Sequence, residues 1–300
     1  MTPRTATYAV GSTHGRKLLD YVELTKPRLV LMVLLTTLVG FYMGSEPVPH
    51  YLVLLHTLLG TALAAGGTLA LNQSLERDLD AAMKRTRHRP IPEGRVQPLE
   101  CVVFGSILVV SGLVLLAVAV NVLSALLTAI ISVTYLFLYT PFKQKSSLCS
   151  LIGAVPGALP PVVGWTAAQG TLSLEAGILF GILYLWQIPH NLAIARLYRD
   201  DFLSAGIRFL PVVDVEGRST GRQAVSHCLA LLVVSLMPTL TGFAGEIYYF
   251  AAILLGAGFL VYAVRLAALR SVASARHLLF ASLFYLPLLL VAMALDRIPI

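Results

Sequence analysis

The sequence predicts an all-α bundle of about nine membrane-spanning helices, and three observations carry that prediction. Charged residues make up 12% of the 300-residue chain and apolar residues 57%, with a mean hydropathy of +0.80, whereas a soluble domain carries roughly 25% charged residues. Apolar runs of about 20 residues recur, the length a helix needs to span hydrocarbon. The short strands of alternating polarity that build a membrane barrel are missing.

Spans are expected near residues 29–45, 52–72, 99–119, 122–140, 149–168, 174–193, 226–244, 247–265 and 277–295. The chain is basic, with a net charge of +7, but the distribution of that charge argues against a nucleic-acid partner. Apart from Arg297, its Lys and Arg residues fall before the first span or at alternate connections. Positive charge collected on one side is a topological signal. It predicts a cytoplasmic N-terminus and a C-terminus outside. Cys101, Cys149 and Cys228 match no metal or redox spacing and read as small packing residues.

Residues 1–19 are expected to form a cytoplasmic tail, and residues 20–300 a single integral-membrane domain. The tail has no signal-peptide core, though its basic, acid-poor start leaves a transit peptide as the other reading. Asp20–Thr25 reads as an interfacial segment, and Pro27 suits the first turn of the first span. Lys26 and Arg28 flank that proline as headgroup-level anchors or as ligand contacts. Gly60, Ala64, Gly66 and Gly67 in the second span predict a closely packed, central helix.

That helix ends in NQSLERDLDAAMKRTRHRPIPEGR, residues 72–95. Asn72, Glu76 and Asp80 recur at four-residue spacing, one face of a continuing helix, with Arg77, Arg85 and Arg89 close behind. Carboxylates able to share a divalent cation, beside guanidinium groups, suit a diphosphate at a membrane surface. The bland alternative is a solvated helical extension stitched by i,i+4 ion pairs.

The fourth span ends in Tyr135 and Tyr139, followed by Lys143 and Lys145, a pattern that interfacial anchoring also explains. Breakers at Gly153, Pro156, Gly157, Pro160, Pro161 and Gly164 predict a kinked fifth span, whose freed carbonyls need protein or a lined cavity. The sixth leads into a second polar cluster: Trp186, Gln187, His190 and Asn191, then Arg199, Asp200, Asp201 and Arg208. His190, next to Pro189, suits an iron ligand, a proton acceptor, or a partner for a carbonyl freed by the kink. The last three spans carry no obvious chemistry. The second and sixth spans lead into similar polar segments, which suggests a duplicated unit.

These segments resemble the UbiA-type intramembrane prenyltransferases, whose first acidic motif is similar to Asn72-xxx-Glu76-xxx-Asp80. The resemblance is closer to one branch, the heme o synthases or protoheme IX farnesyltransferases. ELTKPR at 23–28, GALPPxxGW at 157–165, WQIPH at 186–190, YRDDFLSAG at 198–206 and LPVV at 210–213 carry it, in order, over about 190 residues. It implies transfer of a farnesyl group from farnesyl diphosphate to a vinyl group of heme b, with water addition, at a Mg²⁺ site within membrane lipid. Asn72, Glu76, Asp80, Asp200 and Asp201 would be the metal and catalytic groups, with His190 beside them. Arg77, Arg85, Arg89, Lys143, Lys145, Arg199 and Arg208 would contact diphosphate, and Tyr135 and Tyr139 would face the prenyl cation. A heme a synthase or terminal-oxidase assembly protein would be a candidate recipient of the product. An aromatic quinone precursor as acceptor, or a non-catalytic heme-binding or transport protein, are the alternatives. Three departures stand out: Glu76 replaces the usual Asp, Asp200 and Asp201 are adjacent rather than spaced, and Asn191 and Arg196 are polar where this branch is expected to be apolar or aromatic.

Overall fold

Small residues set how closely the spans of this protein approach one another, and the computed structural model, which describes residues 13–298, shows the result. Helix α1 (Thr13–Leu24) precedes the first span, α2 (Pro27–Gly44). Next come α3 (Tyr51–Leu75), a short α4 (Arg77–Ala82) and α5 (Pro98–Ala119). The fourth span consists of α6 (Val122–Val133), a π-helical turn (Thr134–Tyr139) and α7 (Thr140–Phe142). The fifth is split into α8 (Cys149–Ala158) and α9 (Pro160–Gln169), with Pro160 in the first turn of the second half. The rest are α10 (Leu174–Leu197), α11 (Arg199–Ser204), α12 (Leu210–Val213), α13 (Arg218–Val234), α14 (Met237–Leu240), α15 (Glu246–Leu269) and α16 (Val272–Leu295). Among the described residues nine segments are long and apolar enough to cross a membrane. No strand occurs among them beyond an isolated bridge between Ala244 and Arg297.

The spans depart from expectation at their ends. The second reaches Leu75 and the sixth Leu197, while the seventh begins at Arg218 and the ninth at Val272. Hydropathy marks where hydrocarbon starts, but backbone hydrogen bonding continues through the headgroup layer, where long polar side chains are solvated. The interfacial segment expected at Asp20–Thr25 is the second half of α1, so the boundary drawn at residue 19 falls inside a helix. Residues 1–12 of the expected tail lie outside the described residues. Cys101, Cys149 and Cys228 are free and buried, as packing residues should be.

Helices α3 and α5 meet through glycines. A Cβ on Gly67 would lie 2.5 Å from the Gly105 carbonyl oxygen, and one on Gly112 would lie 2.5 Å from that of Gly60. Gly40 and Gly164 bring α2 against α9 still more tightly, onto Pro161 and Thr37 respectively. Without a hydrophobic drive between helices in lipid, such contacts supply the packing energy. They fix α3, whose C-terminal end carries Asn72. Gly67→Leu should therefore separate α3 from α5 at a cost of about 1–3 kcal/mol. Its thermal transition in detergent should fall, whereas Gly177→Leu, with nothing within 4 Å, should leave the transition where it is.

Candidate functional site

The acidic motif at the end of α3 is not one continuous helix face. In a straight helix Asp80 would lie about 80° around the axis from Asn72. Instead α3 stops at Glu76 (φ −101°, ψ 10°) and α4 starts afresh at Arg77, which turns Asp80 inward. Asn72 Nδ2 donates to Glu76 Oε1 at 2.6 Å, and Lys143 Nζ pairs with the same oxygen at 2.5 Å. Arg89 Nη1 holds Asp80 Oδ2 at 2.6 Å. All three motif residues are buried, Asp80 to 1% exposure, and its second carboxylate oxygen has no partner. A solvated extension would show none of this burial, so the bland reading fails for Asn72, Glu76 and Asp80.

Lys143 reaches Glu76 because of the π turn. Pro141 has no N–H to donate, and its ring would press on the Phe137 carbonyl in a regular helix. The widened turn accommodates it, and such turns are common at functional sites. Immediately after it Thr140 Oγ1 donates to the Tyr135 carbonyl at 2.8 Å and accepts from Asn72 Nδ2 at 3.1 Å. The Tyr135 and Tyr139 rings lie side by side, centroids 5.3 Å apart, and Tyr139 packs where a Cβ on Gly153 would otherwise sit.

One cation that the sequence left between two readings joins this group. Lys26 donates to Asn72 Oδ1 at 3.4 Å. It occupies the left-handed region (φ 50°) between α1 and α2, a conformation costly for a non-glycine residue. Burial first, and then the nearby Arg89, push its ammonium down to about 8, against opposing pulls from Glu76 and Asp80. The segment is held in place by Gln73, which donates to the Leu24 carbonyl at 2.8 Å, and by Arg95, which pairs with Asp20, Glu23 and Glu93.

Other cations expected at a diphosphate lie elsewhere. Arg77 is exposed and pairs with Asp78, Lys145 is exposed, and Arg85 sits over the Tyr198 ring at 5.6 Å. Arg208 is also exposed, although its backbone N–H donates to the Lys143 carbonyl at 2.8 Å. On a helix surface neighbouring cations look alike in sequence, yet a shift of one or two residues turns a side chain from the cavity to solvent.

The second polar cluster repeats the geometry of the first. Helix α10 ends at Tyr198 (φ −107°, ψ 30°), and the six-residue α11 follows, as α4 follows Glu76. Tyr198 thus corresponds to Glu76 and Phe202 to Asp80. Phe202 is buried with Met83, Ala205 and Val212, while Ser204 Oγ donates to the Ala82 carbonyl at 3.3 Å and joins the two short helices. Asp200 and Asp201 instead line a separate cleft with Lys84, Arg85, Arg196 and Arg199, and none of Asn72, Glu76 or Asp80 lines it. Among the described residues no three His, Cys, Asp or Glu side chains converge as a ready-made metal cage. The first motif nevertheless suits magnesium, which takes one or two carboxylates and completes its shell with phosphate and water. The unpartnered Asp80 oxygen supplies one such ligand.

His190 does not bond a carbonyl released by the Pro189 kink. Its Nδ1 lies 2.7 Å from Ser282 Oγ on α16, its ring stacks on Trp186 with centroids 4.8 Å apart, and Trp186 Nε1 donates to the Ser282 carbonyl. Ser282 Oγ already donates its one proton to the Leu279 carbonyl at 2.6 Å. His190 Nδ1 must then be the donor, which leaves the Nε2 lone pair free to act as ligand or acceptor.

Comparison with known proteins agrees with this architecture. The UbiA prenyltransferase family matches residues 33–287. A protoheme IX farnesyltransferase of Solibacter usitatus is 46% identical over 93% of this chain and 98% of its own length. One from Koribacter versatilis is 44% identical over 93% of each chain, and one from Aquifex aeolicus is 38% identical over 93% of this chain and 95% of its own. In fold, the chain is similar to a digeranylgeranylglyceryl phosphate synthase structure (TM-score 0.80, 18% identity, covering 94% of this chain and 98% of that one). It is also similar to a UbiA homologue from Archaeoglobus fulgidus bound to DMAPP and Mg²⁺ (TM-score 0.68, 17% identity, covering 91% and 99%). A buried, cation-lined Asn–Glu–Asp motif at the end of the second span and a family match across most of the chain lead to one conclusion: this protein belongs to the UbiA prenyltransferase family.

Proposed function

We propose that this protein transfers the farnesyl group of farnesyl diphosphate to a vinyl group of heme b at the cytoplasmic face of a bacterial inner membrane. The observation that carries the reading is the buried set Asn72, Glu76 and Asp80 interleaved with Lys26, Lys143 and Arg89. The names of the relatives supply the acceptor. Apolar spans hold the prenyl chain, while the cations bind the diphosphate. Bound Mg²⁺, held by Asp80 and Glu76, would offset charge that develops on the departing diphosphate. Lys143 and Arg89 then move from the carboxylates toward phosphate oxygens. Tyr135 and Tyr139 present aromatic faces to the allylic cation and shelter it from bulk water. The vinyl terminal carbon bonds to the farnesyl C1, water adds to the carbon next to the ring and loses a proton, and diphosphate leaves.

The test is a product assay. Purified protein with farnesyl diphosphate, Mg²⁺ and heme b should release diphosphate and yield a hydroxyethylfarnesyl heme by mass. Farnesylated 4-hydroxybenzoate in place of farnesylated heme would move the acceptor to quinone precursors. No transfer to either would leave a non-catalytic protein. His190→Ala should broaden and shift the bound-heme spectrum without changing elution behaviour, and an unchanged spectrum would remove His190 as an iron ligand.

A further inference from the structure

A cleft of about 610 Å³ opens between the start of α4's following loop, the end of α10 and the start of α16, apart from the Asn72–Asp80 motif. It is lined by Lys84, Arg85, Arg196 and Arg199 against Asp200 and Asp201, leaving an excess of two positive charges. The cations are placed rather than loose. Arg196 Nη2 donates to the Arg270 carbonyl at 3.0 Å and Arg85 lies over Tyr198. Arg199 donates to the Val212 carbonyl at 3.3 Å, while its Nε is buried without a partner. A buried guanidinium N–H left unpaired is costly.

The cleft continues a seam. Below it, α10 and α16 are joined by Trp186, His190 and Ser282. His190 and Arg196 are six residues apart on one helix, about 9 Å along its axis. The cationic cleft at the surface and the stacked aromatic pair at membrane depth thus lie at successive levels of one helix–helix contact. A tetrapyrrole has the matching form, with an apolar plate, two propionates on one edge and vinyl groups away from them.

From this juxtaposition, and resting on heme as acceptor, we propose that the Arg85–Arg196–Arg199 cleft binds the paired propionates of the tetrapyrrole. The plate extends from the cleft toward the bundle with its vinyl edge foremost. Anchoring the carboxylates at the mouth selects which edge of the acceptor meets the farnesyl cation.

Binding of heme b and of its dimethyl ester, followed by absorbance, tests the proposal, with farnesyl diphosphate binding measured in parallel. Wild-type protein should bind heme b at least about tenfold more tightly than the ester, the scale of one charge-assisted contact. Arg196→Glu should abolish that preference and Arg196→Lys should restore part of it, with donor affinity unchanged in both. Equal affinity for heme b and its ester in a protein that still farnesylates heme would overturn the propionate site alone. Weakened farnesyl diphosphate binding in Arg196→Glu, with the heme preference intact, would assign the cleft to the donor. A wild-type protein that neither binds nor modifies heme would remove the acceptor reading itself.

Discussion

Asp80→Asn should cut turnover by about 10²- to 10³-fold, the scale on which a single electrostatic stabiliser of a developing charge acts, while the protein still elutes as a folded species. The substitution keeps the shape of the side chain. It removes one charge from a residue that is 1% exposed, held by Arg89 and left with one unpartnered oxygen. A carboxamide ligates magnesium poorly, and Arg89 would face a neutral group. Loss should appear in turnover and in the magnesium dependence together, with raised magnesium restoring only part of it. Near-wild-type turnover would take Asp80 out of the mechanism, and loss of folded protein would make its role structural. Asp78→Asn is the matched control, because Asp78 is exposed beside Arg77.

Lys26→Met should weaken donor binding by about 2–5 kcal/mol, the cost of truncating one member of a desolvated charged network. The pH profile separates this role from anchoring. With its ammonium pushed down to about 8, Lys26 is mostly charged at pH 7 and mostly neutral at pH 9. Donor affinity should therefore be full below about 8 and fall as pH rises through that value, by close to tenfold per unit once Lys26 is mostly neutral. Arg stays charged throughout, so Lys26→Arg should flatten the profile. An identical decline in Lys26→Arg would assign the titration to another group.

The bundle was legible in the sequence because apolar length is a direct consequence of the membrane, and nine such lengths are hard to read otherwise. Asn72, Glu76 and Asp80 were legible as a set, but not the break at Glu76, since four-residue spacing fits a continuous helix and an interrupted one equally well. Lys26 carries the same signature as any lysine anchoring a span at the headgroups, and only its contact with Asn72 separates it from Arg28. Lys143 and Lys145 differ in sequence by two positions, yet one is buried on Glu76 and the other is exposed. The adjacency of Asp200 and Asp201 did announce a departure. Its meaning emerged from backbone geometry, which pairs Phe202 with Asp80 and leaves the two aspartates in the arginine cleft.

The π-helical turn at Thr134–Tyr139 also sets a rule for comparing lengths among relatives. It stores one residue more than a regular helix needs over the same rise. A relative one residue shorter there would close the turn into a regular helix, and because the turn had absorbed the extra residue, its counterparts of Thr140 and Lys143 would keep their directions toward Asn72 and Glu76. The same deletion placed in regular helix outside the turn would rotate every side chain beyond it by about 100°. An aligned gap inside this stretch thus leaves the chemistry of the site alone, whereas one just beside it marks a chain with a different partner for its first acidic residue.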